Sequence, residues 1–220
     1  MARRIPAHAR ISKMRTRLRH WNGLGVKSWF QLLALTCSAA VAVAAEPSPN
    51  LFQVRSATDV AGVTHRLGEV QGTKVIVLVF LGPECPISQR YVPKLNRIAA
   101  DHKTNAVEFY GVIAERRMTR AKAAAFAKEY SIQFPVLFDD KFAVARWLRP
   151  THVPEAFVLK PDGDIVYRGR IDDWYESIGK PRAVVRHHEL RDGMTAVLAG
   201  RTPERLFAPP VGCYFEELPR

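Results

Sequence analysis

A cysteine placed where a strand gives way to a helix is the most chemically suggestive feature of the chain. Lys74 to Asn96 reads KVIVLVFLGPECPISQRYVPKLN. Val75 to Leu81 is a near-continuous apolar run, rich in Val and too short for a membrane span. It predicts a strand buried on both faces. Gly82-Pro83 turns the chain, Cys85 stands where a helix should begin, and Pro86 suits the first helical turn because its missing N–H costs nothing there. The helix dipole and free N–H groups at such a place favour the thiolate. A thiolate of this kind attacks a disulfide or a peroxide, giving a mixed disulfide or a sulfenic acid. Glu84 acts in the opposite sense, since a neighbouring carboxylate raises a thiol pKa. The alternative for Cys85 is a small buried hydrophobe at a strand end.

The other cysteines are Cys37 and Cys213. Residues 1–45 have the layout of an export signal: a basic n-region, the apolar segment Trp29–Ala45, and small residues at Ala42-Val43-Ala44-Ala45. An uncleaved membrane anchor is the other reading of this leader, although the segment is short and Ala-rich for a stable span. Cys37 lies inside it, after Ala34-Leu35-Thr36, a poor lipidation signal. The net charge of +12 belongs mostly to this leader, which holds eight of the 33 basic residues and no acidic one. The remaining 25 basic residues face 21 acidic ones, a net charge of +4, so nucleic-acid binding is not expected. Export places the mature chain in an oxidising compartment, the periplasm of a Gram-negative cell, with Cys85 and Cys213 as its two cysteines.

The elements that must position Cys85 follow from periodicity and turn chemistry. Residues 46–53 are a Pro-rich lead-in, and a short hairpin is expected within Val54–Val70. Pro86–His102 repeats apolar residues at Ile87, Tyr91, Leu95 and Ile98, a helix that Pro93 should kink. Ala106–Ala114 is a second buried strand, and Thr119 caps a helix through Tyr130. Phe134–Phe138 is a third strand, and Asp139-Asp140 precedes a helix over Lys141–Leu148. Glu155–Lys160 and Ile165–Arg168 flank the hairpin turn Pro161-Asp162-Gly163-Asp164. Pro181–Leu198 reads as the last helix. Residues 200–220 form a tail with Pro203, Pro209, Pro210 and Pro219 that carries Cys213. The order calls for a mixed sheet between helices.

This order and its motifs resemble the thioredoxin fold, and more closely its redoxin branch, the alkyl hydroperoxide reductase/thiol-specific antioxidant-like proteins. Cys85-Pro86-Ile87-Ser88 stands in the place of the C-x-x-C motif. Pro93 lies where thioredoxins carry a helix proline. Thr151-His152-Val153-Pro154-Glu155-Ala156-Phe157 looks like the segment bearing the cis-proline that faces the active-site cysteine. The resemblance covers roughly Val54 to Ala199 and implies an α/β fold, a thioredoxin-like three-layer α/β/α sandwich with a central mixed sheet over residues 54–199. "ECPIS", "PEAFVLKPDGDIVYRGRIDD" and the late "VGC" are similar to exported bacterial redoxin-domain proteins. Two departures stand out. Ser88 replaces the second motif cysteine, and Gly82 stands three residues before Cys85 where peroxiredoxins have Thr or Ser.

The resemblance implies a thiol-disulfide oxidoreductase. Cys85 is its nucleophile, Ser88 offers a hydrogen bond to the sulfur or is merely solvated, and Pro154 presents Val153 to an extended substrate. Cys213 is either the resolving cysteine or half of a permanent staple with Cys85, worth about 2–5 kcal/mol. The partners implied are a protein thiol or disulfide, or a peroxide, together with a thiol reductant. A membrane is implied only if the leader stays uncleaved. The alternatives are a peroxiredoxin-like peroxidase and a non-catalytic binding module or copper chaperone. No cofactor motif stands out, and His152 with Cys85 is a weak metal signal. His187-His188 is expected to be solvated. Arg168, Arg170, Asp172 and Asp173 are expected to form a surface ion-pair network, with Arg170 an alternative partner for a thiolate.

Overall fold

The computed structural model describes residues 56–104 and 106–218. The leader, including Trp29–Ala45, and the lead-in 46–53 lie outside these residues, as does Cys37. Among the described residues, no helix is long and apolar enough to cross a membrane. The hairpin of β1 (Ser56–Thr58) and β2 (Thr64–Arg66) comes first. It is followed by β3 (Val75–Phe80), α1 (Pro86–Asp101), β4 (Val107–Ile113), α2 (Arg120–Glu129), β5 (Val136–Phe138) and α3 (Ala143–Leu148). Next come β6 (His152–Val153), β7 (Glu155–Leu159), β8 (Ile165–Gly169), β9 (Tyr175–Ser177) and β10 (Lys180–Pro181). The last elements are α4 (Glu189–Leu198), β11 (Phe207–Ala208) and β12 (Cys213–Tyr214).

Six strands form the central sheet in the order β11-β8-β7-β3-β4-β5. β3, β4 and β5 run parallel, with α1 and α2 as crossovers, while β7 and β8 return antiparallel. Every residue of β3 and β7 is buried, because the sheet is covered on both faces. α4 packs over β3, β7 and β8, and α2 lies against β5. α1 turns Ile87, Tyr91, Val92, Leu95 and Ile98 inward. Removing Leu95 or Ile98 from water contributes about 1.5–3 kcal/mol each. The helix runs on through Pro93, whose ring lies at the exposed surface.

Polar side chains set the helix starts. Thr119 Oγ1 accepts the Lys122 N–H at 3.2 Å and caps α2. The Asp139 carboxylate accepts from the N–H groups of Ala143 and Ala145 at 2.7 and 2.8 Å. α3 starts two residues later than expected because Phe142 takes a left-handed conformation, φ 55°. α4 begins at Glu189, not at Pro181. The Asp173 carboxylate captures the N–H groups of Arg186 and His187 at 2.8 and 3.1 Å, and Arg182 N–H donates to Trp174 O. These donors are committed to a loop before the helix can use them.

The charged cluster after β8 is not a surface network. Its carboxylates are buried, Asp172 to 3% and Asp173 to 4% exposure, and Glu155 has none. Asp172 accepts from Tyr91 Oη and Trp174 N–H and pairs with Lys94. Arg170 and Arg205 both pair with Glu189. Arg168 Nη2 meets Glu155 Oε1 at 2.8 Å, while Glu155 Oε2 accepts from Thr151 N–H, Thr151 Oγ1 and His152 N–H. Removing one member of a buried pair strands the other charge. Arg168→Ala should therefore cost about 3 kcal/mol, seen as a lower urea midpoint with an unchanged slope. A loss below about 1 kcal/mol, the size of an exposed pair, would contradict this role.

Candidate active site

The end of β3 and the start of α1 place Cys85. Its backbone is extended, φ −85° and ψ 112°, at the N-cap position of α1, and Pro86 opens the first turn. Cys85 N–H donates to Gly82 O at 3.0 Å, and its carbonyl accepts the Gln89 N–H at 3.1 Å. The Gln89 side-chain amide donates to Pro83 O at 2.7 Å and ties the turn to the helix. Ser88 is fully buried, and its hydroxyl oxygen accepts the Gly82 N–H at 3.1 Å. The hydroxyl thus serves the turn, and it is the backbone N–H of Ser88 that stabilises the Cys85 sulfur.

Across from Cys85 lies the loop between α3 and β7. The Val153–Pro154 peptide bond is cis, and Cys85 Sγ–H donates to Val153 O at 3.1 Å. The tail closes over the same loop. β12 pairs antiparallel with β6, Cys213 opposite Val153 and Tyr214 opposite His152, and Phe215 N–H donates to Thr151 O at 2.9 Å. The approach depends on Gly212, where a Cβ would stand 2.1 Å from Val153 O. This pairing brings Cys213, a free thiol like Cys85, into a hydrogen bond with the Cys85 sulfur.

The two thiols are driven apart in acidity. Burial pushes the Cys85 thiol up, but hydrogen bonds from the Cys213 thiol and from the backbone N–H groups of Ser88, Cys213 and Ile87 bring it below its ordinary value. Val153 O favours the protonated form, and the several donors outweigh this one acceptor. Burial, the hydrogen bond to Cys85 and the charge there push Cys213 up to about 11. Cys85 is therefore the more acidic thiol of the pair and Cys213 the less acidic one. They titrate as one unit.

A cleft of about 870 Å³ opens beside the two cysteines, between the tail and the loop after β4. Glu84, Glu115, Arg116, Arg117 and Lys122 line it. Burial, with the nearby charges of Glu216 and Glu84, raises the Glu115 carboxyl from 4.5 to about 7. Nothing in the local sequence Ala114-Glu115-Arg116 singles this residue out, because its environment comes from distant segments. Glu84 itself is exposed and is not among the groups that set the acidity of Cys85.

The remaining candidates fall elsewhere. His152 stacks on Tyr214, centroids 4.9 Å apart, and its Nδ1 hydrogen-bonds Thr151 Oγ1. Among the described residues, no group of three or more His, Cys, Asp or Glu side chains converges to hold a metal. Arg170 is committed to Glu189, and His188 is the N-cap residue of α4. Gly82 leaves no room for a hydroxylated side chain: a Cβ there would stand 2.7 Å from Val153 Cγ2 and 3.2 Å from Cys85 Cβ.

The AhpC/TSA family model matches residues 47–168. Thiol-disulfide oxidoreductase ResA of Bacillus cereus is 27% identical over 109 residues, 50% of this chain and 61% of that protein. The protein of the same name from Halalkalibacterium halodurans is 30% identical over 111 residues, 49% of this chain and 60% of that protein. The chain thus spans about 60% of the length of these curated relatives. Among solved structures, an uncharacterized conserved protein of Geobacillus kaustophilus superposes with a TM-score of 0.66 at 24% identity, covering 75% of this chain and 89% of its own. A hypothetical protein of Sinorhizobium meliloti gives 0.63 at 24%, covering 72% and 88%. The fold is thioredoxin-like, a mixed sheet flanked by helices.

Two titrations check the site. Alkylation of Cys85 by iodoacetamide should reach its plateau below the pH of an ordinary thiol, about 8.5, while Cys213 stays unmodified at neutral pH. Cys213→Ala removes a donor and should shift the Cys85 profile to higher pH; an unshifted profile would rule out that hydrogen bond. Glu115 gives a second signature. Between pH 4.5 and about 7 the unfolded chain ionises this carboxyl while the folded chain keeps it protonated. The unfolded state then binds fewer protons, so stability falls as pH rises through that window. Glu115→Gln should flatten the Tm–pH slope there, and an identical slope in the variant would contradict the raised carboxyl.

Proposed function

Because the chain belongs to the AhpC/TSA family, we propose that it is an exported thiol-disulfide oxidoreductase in which Cys85 is the nucleophile and Cys213 the resolving cysteine. The observation that carries this reading is the hydrogen-bonded pair of free thiols beside the cis Val153–Pro154 loop, with their acidities split in opposite directions. The likeness to the ResA oxidoreductases supports it over the thioredoxin-like half of the chain. The leader 1–45, with its basic n-region and apolar segment, supports export.

The reduced pair would work in two displacements. The Cys85 thiolate attacks one sulfur of a substrate disulfide, forming a mixed disulfide and releasing the other sulfur as a thiolate. Cys213 then loses its proton and attacks the Cys85 sulfur, releasing the second substrate thiol. Two substrate sulfurs are reduced and the Cys85–Cys213 bond is formed, to be reopened by an external thiol reductant. Glu115, with a pKa near neutrality and in the same cleft, is suited to take the Cys213 proton. Val153 and Pro154 position the two sulfurs. Ser88 supports the turn and supplies one N–H to Cys85.

A peroxidase is less well supported. The hydroxyl expected three residues before the peroxidatic cysteine is replaced by Gly82, where Val153 and Cys85 exclude any side chain. Among the described residues no three His, Cys, Asp or Glu side chains converge, so a copper chaperone would have to hold Cu(I) through the Cys85 and Cys213 sulfurs alone. Trapping distinguishes exchange from a permanent staple. Cys213→Ser should accumulate mixed disulfides through Cys85 when offered disulfide substrates, and Cys85→Ser should accumulate none. An empty trap in Cys213→Ser, with a Cys85–Cys213 reduction potential below about −300 mV, would identify a structural disulfide.

A further inference from the structure

The tail does more than deliver a thiol. An extended polypeptide can add to an exposed strand edge, and at β6, beside Cys85, that edge is already occupied by β12. Cys213 lies opposite Val153, whose carbonyl accepts from Cys85 Sγ at 3.1 Å, so a cysteine on this strand is the one brought to Cys85. The occupancy is reinforced along its length. Gly212 packs on Val153 O and on Pro154 Cδ, with no room for a side chain. Phe215 stacks edge-on against the buried Phe80 ring at 5.8 Å. Arg116 binds Glu216 through its N–H and the Glu217 carbonyl through its guanidinium. Upstream, β11 joins β8 as the outer strand of the central sheet. The opening that remains beside Cys85 is the cleft of about 870 Å³, within the size range of small-molecule sites.

We propose that the C-terminal strand is a built-in substitute for a polypeptide substrate, so that Cys85 is reached through the cleft by small disulfides and is closed to extended polypeptide disulfides. This selectivity rests on the oxidoreductase reading for its chemistry. The balance is one small disulfide plus the Cys85 and Cys213 thiols giving two small thiols and the Cys85–Cys213 disulfide. The tail need not leave β6 for this exchange, because the β12 register already sets Cys213 opposite Val153, whose carbonyl accepts from Cys85 Sγ. A polypeptide in extended form would first have to displace the β12 hydrogen bonds, the Phe215 contact and the Arg116 clasp.

The test separates access from redox chemistry by using alkylation. The reduced full chain is treated with iodoacetamide and, separately, with an iodoacetyl group carried on an extended decapeptide, and modification of Cys85 is followed by mass spectrometry. Gly212→Val forces β12 off Val153, and Phe215→Ala loosens the same strand without crowding it. The ratio of the small-reagent rate to the peptide rate should fall by about tenfold or more in both variants, as expected when a local strand opening no longer limits access. A ratio in the intact chain equal to that of a free cysteine, or unchanged in both variants, overturns the proposal. Stopped-flow reaction of the intact chain with 2-hydroxyethyl disulfide tests the chemistry separately. If Cys85 is alkylated selectively yet exchanges with no disulfide, the oxidoreductase reading fails and the strand assignment stands.

Discussion

A carboxylate removed entirely from solvent must satisfy its charge and its oxygens within the protein, and Glu155 does so in a way that shapes everything around it. One oxygen takes the Arg168 guanidinium, and the other gathers two backbone N–H groups and a hydroxyl from Thr151 and His152. That demand fixes the loop immediately before the cis Val153–Pro154 bond. Val153 then meets Cys85, Gly82 and Cys213. Its carbonyl accepts from Cys85, its side chain excludes any Cβ at Gly82, and its backbone pairs with Cys213. The two cysteines are therefore held by a buried ion pair whose cationic member comes from β8, two strands away from β3 in the sheet. Disturbing Arg168 would reach the cysteines without touching them.

Much of this was legible from the chain alone, and the reasons are local. The apolar run of β3, the Gly82-Pro83 turn and the Cys85-Pro86 helix start are dictated by neighbouring residues, so their positions could be read directly. The cap of α2 by Thr119 and the hairpin between β7 and β8 belong to the same class. The readings that changed depend on distant partners. His187 sits in a segment with ordinary helical composition, yet a carboxylate fourteen residues earlier takes its N–H. Glu115 owes its raised pKa first to burial and then to the charges of Glu216 and Glu84, one on each side of it in sequence and far from it. The Ser88 hydroxyl turns to Gly82, which only the closed turn reveals. The tail's register is set by two residues and a glycine contact, too little pattern for periodicity to register.

The cysteines also show how a motif with one cysteine missing can still have a second thiol beside it. In a C-x-x-C helix start, both sulfurs share one turn and compete for the same N–H groups. Here Cys85 alone receives the helix-start donors, and Cys213 brings its own backbone N–H and its thiol proton from another segment. The acidity gap between the two sulfurs follows from that division. Glu115, raised toward neutrality, lines the same cleft as the two cysteines.

The order in which the chain is made gives the tail's route a further meaning. The strand carrying Cys85, its helix and the rest of the central sheet up to β8 all precede β11 and β12. At ordinary synthesis rates of ~5–20 residues per second, the stretch from Cys85 to Cys213 takes on the order of ten seconds to appear. In the later part of that interval, once Thr151–Glu155 has been made, Cys85 and this loop are present without Cys213. The thiol is most exposed to wrong pairings while the molecule is unfinished, and adding β12 both supplies the partner and covers the edge. The site is completed and guarded by a single late event.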